Sequence, residues 1–399
     1  MKMKRSAVVK SMVSALGALA GLAVLAFPQQ AMADIKIGLS GPFSGPMAAD
    51  GQEYIDGFGL ALEQLGNQLG GQKVQVLQGD DQMKPDVGSQ VMRKFIELDK
   101  VDAIVGLGYS NIIMANLRRL KESGVVSIAV AGGPSPMAGA ECGANVFSIA
   151  YPNDGSGEAI GKLVQDKGYK NVYLMAPNYQ AGKDMLAGFK RWYKGGVAAE
   201  VYTQINQTDY SAEITQLQLS KMDAVFMFYP GSMGVNFTKQ LKQAGVIGKV
   251  PVYSTFTVDG TNLPALREAA VGVISGNTWN PALENPENQK FVKAFESRYK
   301  RVPSTYAANA YDAAFLLDTA VRKLKGDTSN KVAFAAAVKA AGAEFKSVRG
   351  PFRFNTNNMP IQNYYAFEIV KEGDQIKGKL VATPLVDHKD AYVAACPLK

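Results

Sequence analysis

The sequence predicts an α/β protein built as two doubly wound lobes with parallel sheets. Three observations carry this. The chain has 399 residues, enough for two domains at about 100–200 residues each. Short apolar, β-branched runs recur along it, apolar on both faces, as strands covered on both sides by helices must be. Stretches of helical spacing separate the runs, and that alternation argues strand–helix–strand units.

The runs are Ile35–Leu39, Val74–Leu77, Ala103–Gly106, Val125–Val130, Val172–Ala176, Ala224–Tyr229, Val250–Tyr253 and Val271–Ile274. They fall into two groups, one per lobe. Tyr54, Phe58, Ala61, Leu62 and Leu65 follow the first run at the spacing of one helix face, and Val91, Phe95 and Ile96 follow the second. A helix-rich stretch from Asn285 to Ala341 comes after both groups. It must pack somewhere, so one lobe is expected to be assembled from non-contiguous segments.

Composition is that of a folded protein: 47% apolar, 20% charged, mean hydropathy near zero. The net charge of +8 is concentrated at the start, where Lys2, Lys4, Arg5 and Lys10 precede the first acid, Asp34. Ser11–Phe27 is apolar, Pro28 ends it, and Ala31-Met32-Ala33 sets small residues at the positions a signal peptidase reads. Residues 1–33 are therefore expected to be a secretory signal cleaved after Ala33, too short for the roughly 20 residues of a membrane span. Without those four cations, 39 basic residues face 35 acidic ones, dispersed along the chain. No nucleic-acid partner is expected from such a pattern. The segment holds no Cys for a lipid anchor, and a freely diffusing exported protein is best retained in a Gram-negative periplasm. A single histidine, His388 in a polar tail, excludes mechanisms that need two, including most zinc enzymes. With no G-x-S-x-G elbow, Walker A loop or Cys/His metal spacing, neither an enzyme nor a metal or cofactor is expected.

In doubly wound sheets ligands bind beyond the carboxyl ends of the strands. Three loops at such ends are Gly- and hydroxyl-rich: Ser40-Gly41-Pro42-Phe43-Ser44-Gly45-Pro46, Gly106-Leu107-Gly108-Tyr109-Ser110-Asn111 and Ala131-Gly132-Gly133-Pro134-Ser135. Glycine admits close backbone approach, and helix N-termini direct unpaired N–H groups at the loop. Together these loops make a neutral cradle for a small anion, most simply a carboxylate. Taken singly, each loop reads as well as a turn and a helix cap.

The opening Ile35-Lys36-Ile37-Gly38-Leu39-Ser40-Gly41-Pro42-Phe43-Ser44-Gly45, the Asp80-Asp81 pair before Pro85, and Tyr311-Asp312-Ala313-Ala314 resemble the leucine/isoleucine/valine-binding family. These are type I periplasmic solute-binding proteins of ABC importers, and the resemblance covers essentially the whole chain after the signal. It implies two lobes joined by three crossings, near Ala150, Gly276 and Asn355, that close on a ligand like a Venus flytrap. The lobes would be residues 34–150 plus 277–355 and residues 151–276 plus 356–399. It implies a monomer that docks on a membrane permease with its ATPase subunits. By the same resemblance Ser110 holds the ligand carboxylate, with Ala131 and Gly133 at the next grip positions, where the family's threonine hydroxyl is lost. Tyr229, in Tyr-Pro-Gly-Ser-Met-Gly, matches the family's pocket tyrosine. Phe256 falls at the position of the acid that receives a substrate ammonium, and Asp259 is the alternative three residues on.

An ammonium buried without a counter-charge costs several kcal/mol, so Phe256 favours a ligand that has none. Tyr109, Tyr179, Phe228, Tyr229 and Trp279 lie at or beside cleft-facing loops, and such rings hold planar ligands. The ligand expected is an aromatic acid of benzoate or cinnamate type, with a branched-chain amino acid as the alternative. Arg349-Gly350-Pro351-Phe352-Arg353-Phe354-Asn355 and Ile361-Gln362-Asn363-Tyr364-Tyr365 resemble the branch that binds such acids. The two cysteines, Cys142 and Cys396, remain after signal removal and are expected to pair in an oxidising compartment.

Overall fold

The computed structural model describes residues 34–398, so the expected signal segment, 1–33, lies outside the described residues. Each of the eight apolar runs lies in or overlaps a strand. β1 (Ile35–Gly41), α1 (Ala48–Gln64), β2 (Gln68–Leu69), β3 (Gln72–Asp80), α2 (Pro85–Arg93), β4 (Ala103–Gly106), α3 (Ser110–Ser123), β5 (Val126–Ala129), the one-turn α4 (Ser135–Ala138) and β6 (Val146–Ser148) build the first sheet and its helices. Strand order is β2-β3-β1-β4-β5-β6, parallel except for the short β2. β1 runs between β3 and β4, with Ile37 level with Val76 and Ala103. That central position is why its sequence is apolar on both faces.

The second sheet draws on α5 (Gly155–Asp166), β7 (Asn171–Pro177), α6 (Gln180–Trp192), β8 (Gly196–Thr203), α7 (Ser211–Leu219), β9 (Ala224–Phe228), α8 (Gly231–Gln243), β10 (Val252–Thr255), α9 (Leu263–Leu266) and β11 (Val273–Asn277). α10 (Pro286–Tyr299), α11 (Thr305–Lys323) and α12 (Lys331–Ala341) follow, then β12 (Arg353–Phe354), β13 (Pro360–Glu372) and β14 (Gln375–His388). From β8 to β11 the strands are parallel, but β13 joins β11 antiparallel and carries β14 and β12. The second sheet is therefore mixed, where a wholly parallel one was expected. The hairpin escapes a search for doubly apolar runs because β14 is a half-exposed edge strand. It also corrects the reading of His388, which is not in a free tail. It ends β14 level with Gln362, and its Nε2 lies 2.5 Å from Glu158 Oε2.

One core joins Ile37, Val105 and Ile128 of the first sheet to Phe58 of α1 and to Phe295, Leu317 and Val338 of the last three helices. The crossing of α1 over α11 is close enough that a Cβ on Gly57 would come within 2.2 Å of the Ala307 carbonyl oxygen. A second core gathers β7, β9 and β10 with α5, α6 and α8. The chain passes between the two sheets after Ser148, after Asn277 and again beyond Ala341. The buried Arg349 ties the first of these passages to the third. Its guanidinium donates to the carbonyls of Ile149 and Ala150, to Gln362 Oε1 at 2.9 Å and to Asp312 Oδ2 at 3.0 Å. Cys142 and Cys396 form a disulfide, with Cα atoms 5.6 Å apart. Among the described residues no helix is long and apolar enough to cross a membrane.

Candidate functional site

Ser110 opens α3 at the carboxyl end of β4. The preceding turn is shaped by backbone constraint, because a Cβ on Gly106 (φ +116°) would lie 1.8 Å from the Ser40 carbonyl oxygen. Tyr109 is extended and begins the helix, leaving Ser110 at the positive end of the α3 dipole. Ser110 is buried, and its Oγ accepts a 2.9 Å hydrogen bond from Asn153 Nδ2. Asn153 Oδ1 in turn accepts from the Gly133 amide at 3.0 Å, while Nδ2 also donates to Asp184 on α6 at 3.0 Å. A single amide side chain thus holds both grips of the cradle and links them to the opposite lobe.

Around Ser110 the two sheets' loops enclose a small cavity. Tyr109, Ala131, Tyr151 and Tyr306 line it from one side, and Tyr179, Met185 and Phe228 from the other. Its volume is about 20 Å³, against roughly 300–1,000 Å³ for ordinary ligand pockets. The loops of the two sheets meet tightly around it. Closure is built from apolar and polar contacts. Met47 and Tyr109 pack into the second lobe's core. Ser135 donates through its amide and its hydroxyl to Asp184, at 3.0 and 2.7 Å.

Burial raises the hydroxyls of Tyr109, Tyr151, Tyr179 and Tyr306 above the usual phenol range, so all four are neutral donors at neutral pH. Tyr151 donates to the Ala131 carbonyl at 2.7 Å and Tyr109 to Asp50 Oδ2 at 2.6 Å. Asp50 is pushed up to about 7, first by burial and then by Asp259, against the opposing hydrogen bond from Tyr109.

Of the residues expected at the site, Tyr109, Ser110, Ala131 and Tyr179 stand on this cavity's wall. Gly133 sits behind it with its amide taken by Asn153. Phe256 lies one layer back: its ring stacks on Tyr151 at 4.3 Å, with its backbone at φ +50°. Tyr229 is fully buried against Tyr210 and Phe237, because residues adjacent at a strand end face opposite sides; Phe228 takes the cavity side instead. Ser44 is exposed and donates to Asp80 Oδ2 at 2.5 Å, so it serves the turn after β1 and not the cavity. Trp279 donates to Asn288 Oδ1 at 2.6 Å. It lines a separate, larger cavity of about 720 Å³ between α10, the loop after β10 and the β13–β14 hairpin. That cavity has none of the cradle residues. Asn153, Tyr151, Tyr306, Asp184 and Asp50 were not legible in the sequence as site residues. Their positions are set by chain crossings and by the opposite lobe, for which no local motif exists.

Residues 34–374 match the model of a family described as periplasmic binding proteins. The Leu/Ile/Val-binding protein homolog 6 of Brucella abortus (strain 2308) is 27% identical over 373 residues, covering 90% of this chain and 93% of the relative. An ABC-transporter solute-binding protein from R. palustris, solved in complex with benzoate, is 29% identical. It superposes with a TM-score of 0.86 over 92% of this chain and 100% of its own. Another from Rhodopseudomonas palustris BisB5, in complex with 3,4-dihydroxybenzoic acid, is 25% identical with a TM-score of 0.83, over 90% of this chain and 99% of its own.

Proposed function

The chain belongs to the periplasmic binding protein family as a solute-binding protein of an ABC transporter, and from that premise we propose that its ligand is a small aromatic carboxylate of benzoate or cinnamate type. The lobes, 34–150 plus 277–355 and 151–276 plus 356–399, part to admit it, close over it and present it to the permease and its ATPase subunits. The protein works as a monomer in a Gram-negative periplasm after its signal is removed, and it carries out no catalysis.

The observation that supports this most is the cavity wall itself: four neutral tyrosines, Phe228 and Met185 around one serine at a helix N-terminus. A ligand carboxylate accepts from the Ser110 hydroxyl and lies at the positive end of α3. Its ring packs among these aromatic side chains once the lobes stand further apart than they do around the 20 Å³ cavity, and each ring–ring contact adds about 0.5–1.5 kcal/mol beyond burial. No carboxylate stands on that wall to meet an ammonium. The relatives that share this fold and bind benzoate and dihydroxybenzoate agree with it. A second reading, a branched-chain amino acid, is favoured by the buried Asp50 and Asp259 behind the tyrosines and by the name of the Brucella relative.

Calorimetry with benzoate, 4-hydroxybenzoate, cinnamate, leucine, isoleucine and valine separates the two. Micromolar binding of an aromatic acid, about 8 kcal/mol, with none of the aliphatic amino acids, is the expected result; tight leucine binding alone overturns it. Ser110→Ala is expected to weaken the aromatic acid by about 1–3 kcal/mol, the cost of one unmade charged hydrogen bond. An unchanged affinity would make Ser110 a helix cap only.

A further inference from the structure

Asn153, on the first crossing, is buried and uses its whole amide. Its Oδ1 accepts from the Gly133 N–H at 3.0 Å, and its Nδ2 donates to Asp184 Oδ2 at 3.0 Å and to Ser110 Oγ at 2.9 Å. Asp184 is buried too and accepts three more bonds, from the Ser135 amide at 3.0 Å, the Ser135 hydroxyl at 2.7 Å and Gln180 Nε2 at 2.8 Å. With four donors around it, that carboxylate serves only as an acceptor, and a backbone N–H only donates. These two partners therefore fix which end of the Asn153 amide is oxygen.

The consequence falls on Ser110. A hydroxyl has one proton to donate, and an oxygen that already accepts from Asn153 keeps that proton for another partner. Among the described residues Asn153 is the only hydrogen-bond partner of the Ser110 hydroxyl, so the proton has no acceptor there. Nearby acceptors are spent in the same way: the Ala131 carbonyl takes the Tyr151 hydroxyl at 2.7 Å, and Asn153 Oδ1 takes the Gly133 amide. The start of α3 adds backbone N–H groups, since first-turn amides have no partner within their own helix. What this end of the cavity offers a ligand is donors.

We propose that Asn153 is a positioning residue that determines specificity. It holds Ser110 as a donor, so the cradle takes an ionised carboxylate and refuses a head group that must itself donate, such as an amide or an alcohol. This rests on the reading that Ser110 receives the ligand carboxylate, but not on what the rest of the ligand is.

The test is calorimetry with benzoate and benzamide, which differ only in that head group. The wild type is expected to favour benzoate by about 100-fold, the difference between a charged bond made and a donor left facing donors. Asn153→Ala frees the Ser110 lone pairs, so benzoate is expected to weaken about 10-fold while benzamide holds or gains. A residue that merely held the fold would weaken both ligands alike. Should the alanine variant fail to fold, Asn153→Asp combined with Asp184→Asn keeps the shape and net charge of the pair. The acid at 153 then claims the Ser110 proton, and benzamide is expected to bind tighter than benzoate. If leucine binds and benzoate does not, leucine and leucinamide make the same comparison. An unchanged head-group preference in the variant overturns the proposal. Ser110→Ala separates the two failures. Full-strength carboxylate binding there overturns the carboxylate reading and this proposal with it, whereas a loss at Ser110 without one at Asn153 overturns the proposal alone. A wild type that binds neither acid overturns both.

Discussion

Replacing Arg349 by methionine is expected to destabilise the protein by about 3–5 kcal/mol, the cost of breaking a buried ion pair from one side. Arg349 is 2% exposed, and burial opposes the charge of both partners, lowering the guanidinium and raising the Asp312 carboxyl. What holds the pair is its hydrogen bonding. Asp312 also accepts from the Ser347 hydroxyl at 2.6 Å and the Val348 amide at 3.1 Å, and the guanidinium joins the passage at Ile149–Ala150 to β13 through Gln362. Methionine fills the space but leaves Asp312 an uncompensated buried charge. Lysine is expected to rescue little, since a single ammonium cannot span carbonyls, amide and carboxylate together. Urea denaturation with the slope held in common checks this, and a loss below about 1 kcal/mol would show that the hinge stands without the clamp.

Removing the disulfide with Cys142→Ser and Cys396→Ser is expected to cost up to about 5 kcal/mol in the chain-entropy model. The bridge spans 254 residues, the condition under which cross-linking restricts the unfolded chain most. It also pins the segment after β14, where Asp390 accepts from Asn357 at 2.9 Å and Tyr392 packs against the first lobe's outer core. The native protein, denatured without reductant, should contain no titratable thiol. Two thiols counted there, or a double serine variant that melts with the wild type, would refute the prediction.

Much of the fold was legible because its signals are local. A central parallel strand must be apolar on both faces, so β1, β4, β5, β7, β9 and β10 announce themselves in four to seven residues. β6 and β8 were missed, the first for its three-residue length and the second for its exposed edge. The same reasoning failed for the β13–β14 hairpin, whose partner strand faces solvent. At the site, Ser110 could be found because a serine opening a helix after a glycine turn is a local pattern. Phe228 and Tyr229 were both read as facing the cleft, and only Phe228 does, since nothing local tells which of two adjacent rings takes that side.

By itself, then, the sequence determined the class of fold, the pairing of its only two cysteines and the turn that presents Ser110, because periodicity, composition and turn chemistry are properties of neighbouring residues. Only the tertiary structure decided that Asn153 holds the cradle and that Phe256 supports Tyr151 from behind. Each of these joins residues from separate strands or lobes, and what they do depends on burial and distance, which exist only once the chain has folded and the lobes have closed.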